Sequence, residues 1–186
     1  MSAIQAKFCL RCGAALSTIT KRGRPRPTCS GCGFVMYANP VGASAALVMR
    51  GAEVLLVKRG IEPFLGCWAV PAGYQEEDES PSATAERETL EETGVSVEAF
   101  LLLDLLFVPD DPRKPANVAL FACRMLGGVA KGADDAAEAA WFALDDLPKE
   151  IAFDNRELIF DRLAPGGDLR KRLDLLSGNV GLGGVD

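Results

Sequence analysis

The chain has no histidine among its 186 residues. That absence excludes a histidine base, a histidine partner for a nucleophile and a histidine metal ligand. Proton transfer is left to a carboxylate, a Lys or Tyr, or a water activated by a metal. Long apolar runs are also missing. None reaches the length of a transmembrane helix, and the opening MSAIQAKFCLRCG lacks the hydrophobic stretch of a signal peptide. The expectation is a cytoplasmic protein with no membrane partner. Acids are absent from the start of the chain. The first is Glu53, and residues 1–36 carry Lys7, Arg11, Lys21, Arg22, Arg24 and Arg26, a formal charge of +6. The whole chain is −6, so the remainder carries −12. Two modules with different surfaces follow from that asymmetry, and the acidic larger one argues against bulk nucleic-acid binding.

What is present begins with cysteine. Cys9-x2-Cys12-Gly13 and Cys29-x2-Cys32-Gly33 are matching pairs with sixteen residues between them. Paired C-x2-C at this spacing reads as a four-cysteine zinc site, in which each glycine lets the backbone turn its N–H groups toward sulfur. Two disulfides or a rubredoxin-like iron site are the competing readings. Cys67 and Cys123 lie in apolar surroundings and read as buried small side chains. The expected organisation is a zinc ribbon over residues 1–36, a main domain over 37–165, and a C-terminal helix with a glycine-rich tail over 166–186.

Three carboxylates stand out in the main domain. Glu88, Glu91 and Glu92 fall at i, i+3 and i+4, and the segment stops at Gly94. On a helix those offsets share one face. Glu91 and Glu92 also sit beside the negative end of the helix dipole, where each acid costs roughly 0.3–1 kcal/mol. A sequence selected for stability alone would place Lys or Arg there. A hard divalent cation reverses the sign of the cluster, and oxygen-rich ligation suits Mg²⁺ or Mn²⁺. The competing reading is a solvated acidic face. Glu76, Glu77 and Asp78 read as a solvated acid run.

Strand-like runs at residues 41–49 and 53–58 flank Arg50-Gly51-Ala52 and predict a hairpin. Residues 68–73 read as a strand entering a glycine turn. Ser80 and Pro81 predict a helix start, and Gly94 its end. Residues 96–108, 117–125 and 140–143 read as strands, with a polar loop over 109–115. Asp154 is placed to cap a helix through Leu163, and residues 168–176 predict one more. The tail over 177–186 reads as disordered. Strands mixed with helices predict an α/β or α+β sandwich with a mixed sheet. Neither G-x-G-x-x-G nor G-x4-G-K-[ST] follows the first strand, so a doubly wound nucleotide fold is not indicated.

The run Gly73-x5-Glu79-x7-Arg87-Glu88-x2-Glu91-Glu92-x-Gly94-Val95 resembles the Nudix box of the Nudix hydrolases, with Thr89 where that family usually has an aliphatic residue. The four-cysteine ribbon followed by Tyr37-Ala-Asn-Pro40 resembles the subgroup that includes NADH pyrophosphatases and relatives acting on FAD or ADP-ribose. The resemblance implies an α/β/α sandwich behind a zinc ribbon, and Mg²⁺-dependent hydrolysis of a nucleoside diphosphate derivative. It implies Glu88, Glu91 and Glu92 as metal ligands, with the Gly73 carbonyl and, indirectly, Glu79 as further contributors. Arg87 becomes a positioner paired with Glu79. The general base is Glu88 or an acid before Trp141, with Glu138 the best placed. Arg59 could contact phosphate, and Trp68 or Phe64 could stack on a base, although each residue type is more often packing or surface. The Ser-Gln-Pro-Trp-Pro-Phe-Pro type run of NADH pyrophosphatases has no counterpart downstream of the box. ADP-ribose or FAD is therefore the expected substrate, with NADH the alternative. A homodimer stays open. A reading from another class makes the ribbon a nucleic-acid module beside a vestigial Nudix domain. It rests on Arg22-Gly23-Arg24-Pro25, which resembles an AT-hook core, and one short basic run makes it the less favoured reading.

Overall fold

Tight turns around the cysteines start the chain. The computed structural model of the protein describes residues 6–109 and 114–177. Strands β1 (Leu16–Lys21) and β2 (Arg24–Cys29) pair antiparallel from Leu16↔Cys29 to Lys21↔Arg24. Arg22 and Gly23, at φ 51° and 75°, make the two-residue turn that twisted hairpins favour. A loop or hairpin tip is expected from the sequence over Lys21–Pro27; the turn is confined to Arg22 and Gly23, and Lys21 and Arg24–Pro27 are strand. A two-stranded ribbon is all edge, which is where Pro25 and Pro27 are tolerated.

The second sheet is built on β3 (Val41–Arg50), whose apolar run is buried on both faces. Ala45 and Leu47 point into one core cluster, Ala46 and Val48 into another. Such a strand needs a layer on each side. It pairs parallel with β8 (Ala116–Gly128) and antiparallel with β6 (Ala72–Tyr74), and it turns at Gly51 into β4 (Glu53–Arg59). β4 in turn pairs with β5 (Trp68–Ala69) and β9 (Ala136–Ala143). β7 (Val95–Val108) pairs antiparallel with β8 and closes the far edge of the mixed sheet.

Helix α1 (Pro81–Thr93) covers one face through Ala85. The other face is covered by a single π-helical turn (Arg156–Phe160), the α-turn α2 (Asp161–Leu163) and α3 (Asp168–Ser177), through Ile159, Phe160, Leu163 and Leu169. The α/β/α sandwich is thus present. Burying each of the Leu side chains in that layer contributes roughly 1.5–3 kcal/mol.

The caps of α1 match the sequence. Ser80 is extended and its Oγ accepts from the Ala83 N–H at 3.1 Å, Pro81 occupies the first position, and Gly94 ends the helix at φ 68°. Thr89 is fully buried, and its hydroxyl donates to the Ala85 carbonyl at 2.6 Å, so the departure from an aliphatic residue leaves no unpaired group.

Two expectations shift. β9 begins at Ala136 rather than at 140, because the alanine run completes the ladder with β4. Asp154 does not cap by its side chain. It sits at φ 54°, and its carbonyl accepts from the Leu158 N–H at 2.9 Å. The glycine-rich tail beyond 177 and loop residues 110–113 lie outside the described residues. Among the described residues no helix is long and apolar enough to cross a membrane.

Candidate functional site

The four ribbon cysteines converge. Their sulfurs all lie within 4.8 Å of one another, with Cys9 and Cys32 3.6 Å apart and Cys12 and Cys29 3.5 Å apart. No disulfide joins them. Gly13 and Gly33, at φ 72° and 74°, each return an N–H to the carbonyl of the first cysteine of their pair, at 2.9 and 3.0 Å. The two knuckles are therefore copies of each other. Desolvation pushes the Cys9 thiol up, but the N–H groups of Arg11 and Cys12 and the neighbouring thiols outweigh it and bring the pKa to about 7. The N–H of Cys32, above all, lowers Cys29. Cys12 moves the other way, to about 12: the Ala14 N–H lowers it, and the neighbouring thiols outweigh that. Four convergent thiols are the donor set a soft cation such as Zn²⁺ takes.

The acid face of α1 is organised by Arg87. Its Nε and Nη2 donate to the two oxygens of Glu79, at 2.5 and 3.0 Å. Nη1 donates to both Glu88 and Glu91, at 2.8 and 2.9 Å, and Nη2 also reaches the Tyr74 carbonyl at 3.1 Å. Glu88 and Glu91 thus converge on one nitrogen. Arg87 holds the Glu79 carboxyl at about 2, with further N–H and O–H donation from Glu76 and Thr84. Glu88 moves the other way, pushed up by burial. Glycine at 73 has a direct cause. A Cβ there would lie inside the Glu88 carboxyl group, so only a bare backbone lets the acid come against β6.

Glu92, one turn on, is almost fully buried. One oxygen accepts from the Ala72 N–H at 3.1 Å. Burial, with Asp135 and Glu88 adding to it, raises its pKa to about 9, against the opposing charge of Arg59. Glu88 and Glu92 offer the hard oxygen donors a divalent cation takes, although among the described residues the group of three or more acid or cysteine ligands whose donor atoms converge is the cysteine tetrad.

Glu88 and Glu92 form one end of a cavity of about 330 Å³ between the sheet and the residue 153–159 segment, whereas Glu79 and Glu91, held on Arg87, are not in its walls. Leu106, Val108 and Val118 give it an apolar wall, and Asn155 and Phe153 close the far side. The loop before β9 brings Asp134 and Asp135 to the acid end. Three backbone hydrogen bonds place that loop: Lys131 N–H to Thr93 O (3.0 Å), Ala133 N–H to Glu92 O (3.1 Å) and Gly60 N–H to Asp135 O (2.8 Å). Gly60 is bare because the Asp135 carbonyl packs on it, and Gly132 because the β9 backbone at Ala137 and Glu138 does.

The remaining sequence-derived residues divide. Arg59 is buried in the cavity wall, its Nε donating to the Pro63 carbonyl at 2.6 Å and its guanidinium stacked 4.8 Å over Phe153. Trp68 is placed elsewhere. It is 9% exposed, packs edge-on to Phe142 at 4.6 Å and belongs to the core. Phe64 stands against Phe153 at 4.8 Å. Glu138 faces away from the cavity walls on β9, more than half exposed, 3.9 Å from Lys58. Glu76, read as merely solvated, lines the cavity.

Sequence reasoning missed Asp135, Phe153 and Asn155. The Asp134-Asp135 pair is plain in the sequence, but only the loop's ties to Gly60 and α1 bring it to the cavity, which Glu138 does not line. Asn155 carries no motif signal; its Oδ1 accepts from the buried Val70 N–H at 3.1 Å, binding the 153–155 turn to the strand that leads into Gly73.

An α/β/α sandwich with a carboxylate-bearing helix directly after a glycine strand defines a Nudix-type hydrolase fold. The NUDIX domain model matches residues 38–161, and the chain belongs to the Nudix family, hydrolases that act on diphosphate bonds of nucleotide derivatives. An ADP-ribose pyrophosphatase of Methanocaldococcus jannaschii is 38% identical over 129 residues, 69% of this chain and 76% of that protein. The NAD-capped RNA hydrolase NudC of Chromobacterium violaceum is 32% identical over 146 residues, 76% of this chain and 52% of its own length. The chain thus spans about half of that relative. Among solved structures, a NUDIX hydrolase from Nitrosomonas europaea superposes with TM-score 0.75 at 29% identity, covering 95% of this chain and 94% of the other.

Proposed function

We propose that the chain hydrolyses the diphosphate of an adenosine diphosphate derivative, ADP-ribose or FAD, with Mg²⁺ or Mn²⁺, and that its ribbon holds one structural Zn²⁺. The observation that carries the reading is the cavity itself, which sets Glu88, Glu92 and Asp135 opposite an apolar wall. A diphosphate would lie at the acid end and a nucleoside against Leu106, Val108 and Val118. A divalent cation held by Glu88, Glu91, Glu92 and the Gly73 carbonyl would neutralise the diphosphate and ease ionisation of the attacking water.

The protein's own groups then position and transfer protons. Arg87 keeps Glu79, Glu88 and Glu91 in register. For the proton-accepting role, which the sequence left between Glu88 and Glu138, Asp135 is the better placed acid outside the box, since it lines the cavity and Glu138 does not. Arg59, braced by Pro63 and Phe153, contacts a phosphate. The 38% identity to an ADP-ribose pyrophosphatase supports the substrate class. NADH is the second reading, favoured by the NudC relative's match over 76% of this chain. A substrate panel with product identification tests both. AMP and ribose 5-phosphate from ADP-ribose is the expected result. Failure to cleave ADP-ribose, FAD, NADH and diadenosine polyphosphates with either metal would refute the enzymatic reading.

A further inference from the structure

A second cavity, of about 350 Å³, opens where the ribbon meets the sandwich. Pro25, Arg26 and Pro27 of β2 form one side, Tyr37 and its neighbours in the linker the floor, and Phe107 and Lys114 the other side. Its chemistry is opposite to that of the acidic body. Both charged side chains in the wall, Arg26 and Lys114, are cationic, and no carboxylate side chain lines it among the described residues. The chain around it carries no acid before Glu53. Two aromatic rings stand open in the same groove: Tyr37 is 55% exposed and Phe107 57%. The Arg26 guanidinium lies 4.9 Å over the Tyr37 ring, a cation–π stack that covers one face of a ring still largely open to solvent.

Flat rings and guanidinium planes beside fixed cations accept unstacked bases and the phosphodiesters that join them. A duplex offers no free base faces to stack. An acidic peptide would use the cations and leave the rings unpartnered. We infer that this groove binds a single-stranded stretch of nucleic acid, with bases on Tyr37 and Phe107 and phosphates at Arg26 and Lys114. The groove is physically separate from the hydrolytic cavity. Leu106 and Val108 of β7 line that cavity while Phe107 between them lines this groove, as the two-residue period of a strand requires. No side chain belongs to both walls. Binding can therefore be altered without touching hydrolysis.

The test is fluorescence anisotropy of a labelled short oligouridylate titrated with the full-length, zinc-loaded protein at several salt concentrations. Two neutralised phosphates give a slope of log affinity on log salt of about −1.4, and Arg26→Ala or Lys114→Ala makes it shallower by about 0.7. Tyr37→Ala weakens binding about ten-fold and leaves the slope unchanged, while Tyr37→Phe restores affinity. Thermal melts confirm that each variant is folded, and turnover of a small nucleotide substrate stays at the parent level in all of them. The inference is overturned if no salt-dependent binding is seen. It is also overturned if affinity survives both Arg26→Ala and Tyr37→Ala, or if polyglutamate displaces the oligonucleotide as well as unlabelled oligouridylate does.

Discussion

Arg87 shows how one side chain sets several others. Its fork serves Glu79, Glu88 and Glu91 at once, a geometry that a single ammonium lacks. Arg87→Lys is expected to lower kcat about 10–100-fold, the cost usual for a residue that orients metal ligands, with thermal stability near the parent's. Glu92→Gln should abolish detectable turnover and leave the circular dichroism spectrum intact, because the neutral amide keeps the shape and can still accept from the Ala72 N–H. The two candidates for the proton acceptor outside the box separate cleanly. Asp135→Asn should cost about 10²–10⁴-fold in kcat, whereas Glu138→Gln should leave kcat and KM unchanged, and steady-state assays on the same substrate decide between them. At this scale the box residues were legible because their spacing and charge conflict with helix stability. Trp68 and Glu138 were not. An aromatic before a glycine turn looks the same whether it faces a cavity or Phe142, and an acid on a strand reveals its face only once register with β4 is known.

At the level of elements, α1 was readable from end to end. Ser80, Pro81 and Gly94 act through local backbone geometry that needs no tertiary information. The 153–163 segment was legible as a helix ending at Leu163 but not in its entry, because Phe153 and Asp154 both adopt φ 54° and the following turn is π-helical, a conformation held by packing on the sheet rather than by propensity. The first four residues of β9 were missed for a similar reason, since alanine carries little strand preference until β4 supplies a ladder. One ion-pair cluster fastens these elements. Arg162 meets Asp104 of β7 at 2.7 Å and Asp168, at the start of α3, at 2.6 Å. Donation from Arg162 holds Asp168 at about 2, below its ordinary 3.8. A lowered acid stabilises the fold above the unfolded value and loses that contribution as pH falls from near 3.8 toward 2. Asp168→Asn should therefore lower the thermal midpoint modestly at neutral pH, with the gap to the parent closing as melts are repeated at falling pH. A gap that stayed constant through that range would show that the pair contributes nothing.

For the molecule as a whole, the separation of charge first read from the sequence coincides with a separation of chemistry, thiols and cations in the ribbon and carboxylates in the sandwich. Metal analysis of freshly reduced protein should find one zinc per chain, and Cys29→Ser should release it. The main calorimetric transition should survive that substitution, since the sandwich core draws on no ribbon side chain. Placement of the acids, by contrast, belongs to no single segment of sequence. The amides of Lys131 and Ala133 bond to the last turn of α1, the Gly60 amide bonds back to Asp135, and the Ala72 amide bonds to Glu92. Glu92 and Asp135 are thereby both tied to the last turn of α1. A displacement of that turn would carry both acids with it, so the spacing between them is set by one piece of backbone rather than by two.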